Sequence, residues 1–136
     1  MSYVDWKPEY SVGVPVFDEH HQHLLRLLNK LHEYRNAGTE AQENLLHQIL
    51  EQLEDYAVYH FSEEEKAMTK EYEEFDKHKR EHAFFIGKVK QLAMELEKGK
   101  KTISLHTFKF LNDWLVVHIL GTDRKLGVFL RHTNNK

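Results

Sequence analysis

Apolar residues recur along this chain at spacings of three and four over four long segments, the periodicity of helices that bury one face. Leu24, Leu25, Leu27, Leu28 and Leu31 mark the first, over about 18–37, with Asp18 as its N-cap and Asn36, Ala37 and Gly38 as its break. Leu46, Ile49, Leu50, Leu53, Ala57 and Phe61 mark the second, over about 40–65, which opens after Thr39. The third, over about 75–98, runs from Phe75 through Phe85, Val89, Leu92 and Leu96 to Gly99, a residue suited to ending a helix. The fourth, over about 103–120, starts after Thr102 or Ser104 and carries Leu105, Phe108, Leu111, Leu115 and Ile119 as far as Gly121. An amphipathic tail, 124–136, follows with Leu126, Phe129 and Leu130. Both prolines, Pro8 and Pro15, precede all four segments, and neither alternating β-branched runs nor hairpin turns interrupt them.

Short connections make successive helices antiparallel neighbours. The predicted fold class is therefore all-α, an antiparallel up-down-up-down four-helix bundle with an N-terminal arm and a short C-terminal helical tail. A chain of 136 residues suits a single domain with one core. The arm, with Trp6 and Val12 to Val16, is expected along the outside of the bundle.

Function enters where polarity violates the apolar stripes. A helix advances about 100° per residue, so side chains four apart stand about 40° from each other. His78 and His82 fall at that spacing, within the arc of Phe85, Val89, Ala93 and Leu96. His60 and Glu64 repeat it one helix earlier, and Glu64 lies near the centre of the arc of Leu46, Leu50, Leu53 and Phe61. A carboxylate there must be paired, protonated or bound to a cation, because burying it alone costs several kcal/mol. On the fourth helix His118 shares the stripe of Leu111, and Asp123 follows five residues on. The two converge only if the helix ends or loosens near Gly121, where glycine permits unusual backbone angles. At the start of the first helix His20 and His21 lie equally far from the stripe, on opposite sides, and periodicity leaves the choice between them open. His23 lies nearer the polar side. His32, His47, His106 and His132 lack a partner motif and read as surface or packing residues, and Glu63 and Glu65 read as a solvated face.

Composition narrows the chemistry. The chain has 11 histidines but no cysteine, so a metal must be held by nitrogen and oxygen. With 19 Lys plus Arg against 22 Asp plus Glu, a net charge of -3 speaks against a nucleic-acid partner. No apolar stretch approaches the roughly 18 residues of a membrane span, and the opening MSYVDWKPEY lacks the pattern of a signal peptide. A soluble, cytoplasmic protein is expected.

These residues, in this order, resemble the hemerythrin family over nearly the whole chain. The family reads His, then His-x-x-x-Glu, then His-x-x-x-His, then His-x-x-x-x-Asp, one motif per helix. The last three are present as HFSEE, HKREH and HILGTD. Bacterial members open the first helix with Asp-x-Gln-His after a Val-Gly-Val and an earlier Trp. This chain has Trp6, Val12-Gly13-Val14 and Asp18-Glu19-His20-His21, with His20 where the family has glutamine.

The resemblance implies a metal site of His21, His60, Glu64, His78, His82, His118 and Asp123. It implies as cofactor two non-haem iron ions with a bridging oxo or hydroxo group, His78, His82 and His118 on one iron, His21 and His60 on the other, and Glu64 and Asp123 between them. Two six-coordinate metals offer twelve positions, of which five histidines, two bridging carboxylates and the bridging oxygen fill all but one. One open position suits one small ligand. The implied function is reversible binding of O₂ for oxygen carriage, storage or delivery, with Leu25, Phe61, Trp114 and Leu115 as an apolar O₂ pocket. The expectation is a non-enzyme, in monomeric form, whose partner beyond O₂ is a downstream O₂-consuming enzyme. The alternatives are a di-iron peroxidase or nitric oxide reductase, or O₂ or iron sensing with a partner chain.

Overall fold

The structure is a computed structural model that describes residues 4–36, 38–69 and 71–134. Ala37, expected in the first break, and the last two residues of the tail lie outside the described residues. Four long helices form the bundle, α1 (Pro15–Glu33), α2 (Glu40–Ala67), α3 (Phe75–Glu97) and α4 (Leu105–His118), and α5 (Arg124–Asn134) follows. α1 and α3 each pack on both α2 and α4, which closes the ring. The described residues contain no strand, only an isolated bridge between Asn36 and Thr102 where two loops meet. No described helix is long and apolar enough to cross a membrane.

Local chemistry explains most boundaries. Thr39 and Ser104 cap α2 and α4, their side-chain oxygens accepting from the backbone N–H of Gln42 and Thr107 at 3.1 Å each. α3 stops at Glu97, just before Gly99, whose φ of 105° favours a residue without Cβ. The expected N-cap of the first helix is corrected. α1 starts three residues before Asp18, at Pro15, because proline's fixed φ fits the first helical position and its missing N–H is not needed there. Asp18 instead sits inside the first turn and reaches back, accepting from Val12 N at 2.8 Å and Ser11 Oγ at 2.5 Å. It thereby ties the arm to the helix.

The arm runs along the outside of the bundle with Trp6 and Val14 half-buried and Val16 exposed, but Val12 lies deeper than the sequence indicated. Val12 is buried within the core, not laid on its outside, because α5 folds over it. Arg131 donates to Val12 O at 2.7 Å, and Gly127 lies so close to that carbonyl that a Cβ would collide with it. Arg124 donates to Glu9 O. The tail is thus a clamp that holds the N-terminal arm against the bundle.

Between α4 and α5 the helix does not end at Gly121. Residues Ile119–Asp123 form one π-helical turn, in which backbone bonding runs from i to i+5. Loosening was expected there, with glycine's conformational freedom as its means. Gly121 has no positive φ, and the wider turn supplies the change instead. The π turn brings His118 and Asp123 onto one face.

Candidate metal centre

Each helix of the bundle delivers polar side chains to one end of the core. α1 supplies His21, α2 His60 and Glu64, α3 His78 and His82, α4 His118, and the π turn Asp123, all buried. Their ligand atoms fall into two groups, one of Glu64, His78, His82, His118 and Asp123, the other of His21, His60, Glu64 and Asp123. Within each group these atoms lie inside 4.8 Å of one another, and both carboxylates are common to the two.

Distances give the detail. Asp123 presents Oδ1 to His78 Nε2 and His118 Nε2, at 2.9 and 3.0 Å, and Oδ2 to His21 Nε2 at 3.0 Å. Glu64 Oε1 lies 3.1 Å from His82 Nε2, 3.4 Å from His60 Nε2 and 3.6 Å from His78 Nε2, while Oε2 lies 3.5 Å from His21 Nε2. All five Nε2 atoms and all four carboxylate oxygens are buried without an aligned hydrogen bond. Nine convergent polar atoms, buried and without an aligned hydrogen bond, fit a cation in their midst, which would satisfy all of them at once. The donor set, imidazole and carboxylate without thiolate, suits iron, manganese or zinc.

The electrostatics of the bare protein point the same way. Burial opposes a charge on His21, yet the Asp123 and Glu64 carboxylates against it prevail and raise its pKa to about 9. His118 follows the same balance, burial against Asp123, Glu81 and Glu64, and rises to about 10. Burial alone would push the Glu64 carboxyl up, but His60, His21 and His78 hold it well below the usual range. Asp123 is lowered as well, where His118 and His21 outweigh burial and the neighbouring Glu64. Without metal, protons on imidazole provide the positive charge that the two carboxylates require.

The choice that periodicity left open between His20 and His21 has a clear geometry. His21 aims Nε2 at both shared carboxylates, whereas His20 Nδ1 lies 2.9 Å from Nδ1 of His60, outside the cluster. Burial, then His60 and His21 beside it, lower the pKa of His20. Other histidines stay away from the cluster. His23 packs on Tyr56 with ring centres 4.0 Å apart and His32 on Phe108 at 5.0 Å, while His106 and His132 are exposed.

Of the pocket candidates, Leu25, Phe61 and Leu115 are buried and Trp114 is half-buried. Phe61 stacks on His82, centroids 3.9 Å apart and planes 6° from parallel, and Trp114 stacks on His118 at 4.7 Å and 11°. Trp114 also borders an open cleft of about 540 Å³ with Phe110 and Val117. These two rings therefore lie against His82 and His118 of the three-histidine group.

Sequence reasoning missed the outer partners. Glu65, read as solvated, takes His82 Nδ1 at 2.9 Å, and Glu81 takes His118 Nδ1 at 2.9 Å and Thr122 Oγ1 at 2.7 Å. His118 and Thr122, helped by Lys77, hold Glu81 at a pKa of about 2 against its burial. The only sequence signal for either is adjacency to a ligand, which glutamates on a polar face often have by chance.

The sequence and the fold are similar to those of known proteins. The family described as Hemerythrin HHE cation binding domain matches residues 12–130. A bacteriohemerythrin of Methylococcus capsulatus is 32% identical over 129 residues, 93% of this chain and 96% of its own length. One of Clostridium acetobutylicum is 31% identical over 123 residues, covering 88% of this chain and 95% of its own. Among solved structures, a wild-type hemerythrin superposes with a TM-score of 0.85 at 31% identity, over 95% of this chain and 98% of that one.

Proposed function

The chain belongs to the hemerythrin family, whose function is O₂ binding at a non-haem di-iron centre, and we propose that this member holds two iron ions with a bridging oxo or hydroxo group and binds O₂ reversibly. In this reading His78, His82 and His118 hold one iron, His21 and His60 the other, and Glu64 and Asp123 bridge them. The observation that carries it is the division of one buried cluster into a three-histidine and a two-histidine group around the same two carboxylates. When bound, the iron pair would supply an open position for O₂ and the reducing equivalents that its binding draws on.

The protein's own residues define that environment. Glu64 and Asp123 provide two negative charges and the histidines neutral donors, a set that favours modest oxidation states over the strongly oxidising chemistry of carboxylate-rich bundles. Phe61 and Trp114 press on the rings of His82 and His118 and fix their planes. Leu25 on α1 and Leu115 on α4, both buried, are the residues that would keep water and protons from the bound O₂. The role is carriage, storage or delivery of O₂ in the cytoplasm, as a monomer and without turnover, with an O₂-consuming enzyme as recipient.

Metal analysis with an optical spectrum tests this directly. Purified protein should carry two irons per chain, be colourless when reduced, gain visible charge-transfer bands in air and lose them under vacuum. His82→Ala should retain fewer than two irons. Irreversible bleaching with consumption of a substrate, or two irons retained in His82→Ala, overturns the proposal.

A further inference from the structure

A histidine that gives its Nε2 lone pair to a metal must carry its proton on Nδ1, and that N–H needs an acceptor. Three of the five histidines of the cluster have one among the described side chains, and the acceptors differ in charge. On the three-histidine group they are carboxylates: Glu65 for His82 and Glu81 for His118. On the two-histidine group the acceptor is an imidazole: His60 Nδ1 faces His20 Nδ1 at 2.9 Å. Two ring nitrogens at that distance must share one proton. His60 donates it if its Nε2 is to bind metal, so His20 accepts at Nδ1 and keeps its own proton on Nε2.

We propose that Glu65 and Glu81 are positioning residues that make the iron centre electronically unequal. They strengthen the imidazole donors of His82 and His118, while His20 gives His60 only a neutral acceptor. Glu81 is itself fixed. Thr122 of the π turn donates to the same Oε1 that His118 uses, and Lys77 lies 3.9 Å from its Oε2, so the carboxylate joins α3 to the turn that carries Asp123. Glu65 follows Glu64 directly, so one step along α2 separates a carboxylate inside the cluster from one behind its histidine. A charged acceptor raises the basicity of the imidazole it holds, and loss of such partners weakens metal binding about 10–100-fold. The three-histidine iron is thereby the more tightly held of the two, and its ferric state the more stabilised.

This inference rests on the di-iron reading, and the experiment separates the two. The full chain is loaded anaerobically with Fe²⁺, and iron release to a chelator is followed together with the midpoint potential of the iron pair. The double variant Glu65→Gln/Glu81→Gln keeps oxygen acceptors and removes both charges, and Glu65→Leu/Glu81→Leu removes the acceptors too. The glutamine pair should raise the potential and weaken one of the two irons about 10–100-fold, and the leucine pair should weaken the same iron further. His20→Gln, which restores a neutral acceptor for His60, should leave that iron unchanged. Circular dichroism of the metal-free chains, expected to match wild type, separates a lost partner from a lost fold, and Glu81→Gln alone serves if a double variant does not fold. Unchanged potential and affinity in the glutamine variant, equal weakening of both irons, or the same loss in His20→Gln would each overturn the proposal. A wild-type chain that does not hold two irons overturns the di-iron reading instead.

Discussion

The two ends of the bundle bury side chains equally well and for opposite reasons. At the end where Arg35 accepts from Ile103 N across two loops, the core is Leu28, Leu31, Leu46, Leu50, Leu53, Leu96, Ile103 and Phe108, each almost wholly removed from water. At the other end the same depth holds five imidazoles and two carboxylates. Every buried leucine in the first contributes about 1.5–3 kcal/mol. Every group in the second loses hydration and regains it only through a partner, and a buried ion pair is seldom worth more than an apolar pair of its size. One end therefore folds the chain, and the other is tolerated for what it binds.

The largest effect expected from this contrast is at the apolar end. Phe108→Ala should cost about 3–5 kcal/mol, in metal-free and metal-loaded protein alike, as read by denaturant unfolding of both forms. Metal-dependent loss would mean that the two ends are not energetically separate.

Metal removal comes next and acts at the other end. At a free-metal concentration a hundredfold above the dissociation constant, loading should stabilise the fold by about 2.7 kcal/mol, with amide exchange slowed around residues 57–64 and 118–123 more than around 46–53. The sign of its pH dependence follows from the bare cluster. His21 and His118 have pKa values raised to about 9 and about 10, so their stabilisation of the metal-free fold is complete below the unfolded value and vanishes as pH rises through 9 and 10. Metal must displace those protons. Affinity should accordingly increase with pH over the same window, with proton release measurable by calorimetry in buffers of different ionisation enthalpy. A pH-independent affinity would contradict the ion-paired cluster.

The apolar end was the more legible of the two in sequence, because burial repeated every three or four residues leaves a pattern that one chain displays. Thr39, Ser104 and Gly99 were readable for the same reason, since each acts on backbone a few residues away. The inward positions of His60, Glu64, His78 and His82 were legible as breaches of that pattern. What stayed hidden needs a partner distant in sequence. Periodicity could not choose between His20 and His21, because the deciding atoms are Glu64 and Asp123, on other elements. Glu81 and Glu65 look like any solvated glutamate until His118 and His82 are set beside them. The start of α1 was misplaced because Asp18 has the chemistry of a cap and uses it on Val12, six residues before it, and not on the N–H groups that follow it.

The smallest predicted effect tests whether the metal-binding end depends on the clamp around it. Gly127 faces Val12 O so closely that any Cβ must displace the arm or α5. Gly127→Ala should therefore cost about 1–3 kcal/mol, the usual penalty of overpacking, less the few tenths that alanine gains over glycine within a helix. The displacement would propagate in one direction. Val12 N is held by Asp18, three residues before His21, and α5 continues directly from Asp123, so both strands of the clamp lead to site residues and none leads to Phe108. In the loaded protein the variant should lose iron faster than wild type, while the cost of Phe108→Ala measured in the same background should stay unchanged, as it does for independent sites. If the two costs instead couple by more than about 0.5 kcal/mol, the bundle behaves as one packed unit and its ends cannot be assigned separate work.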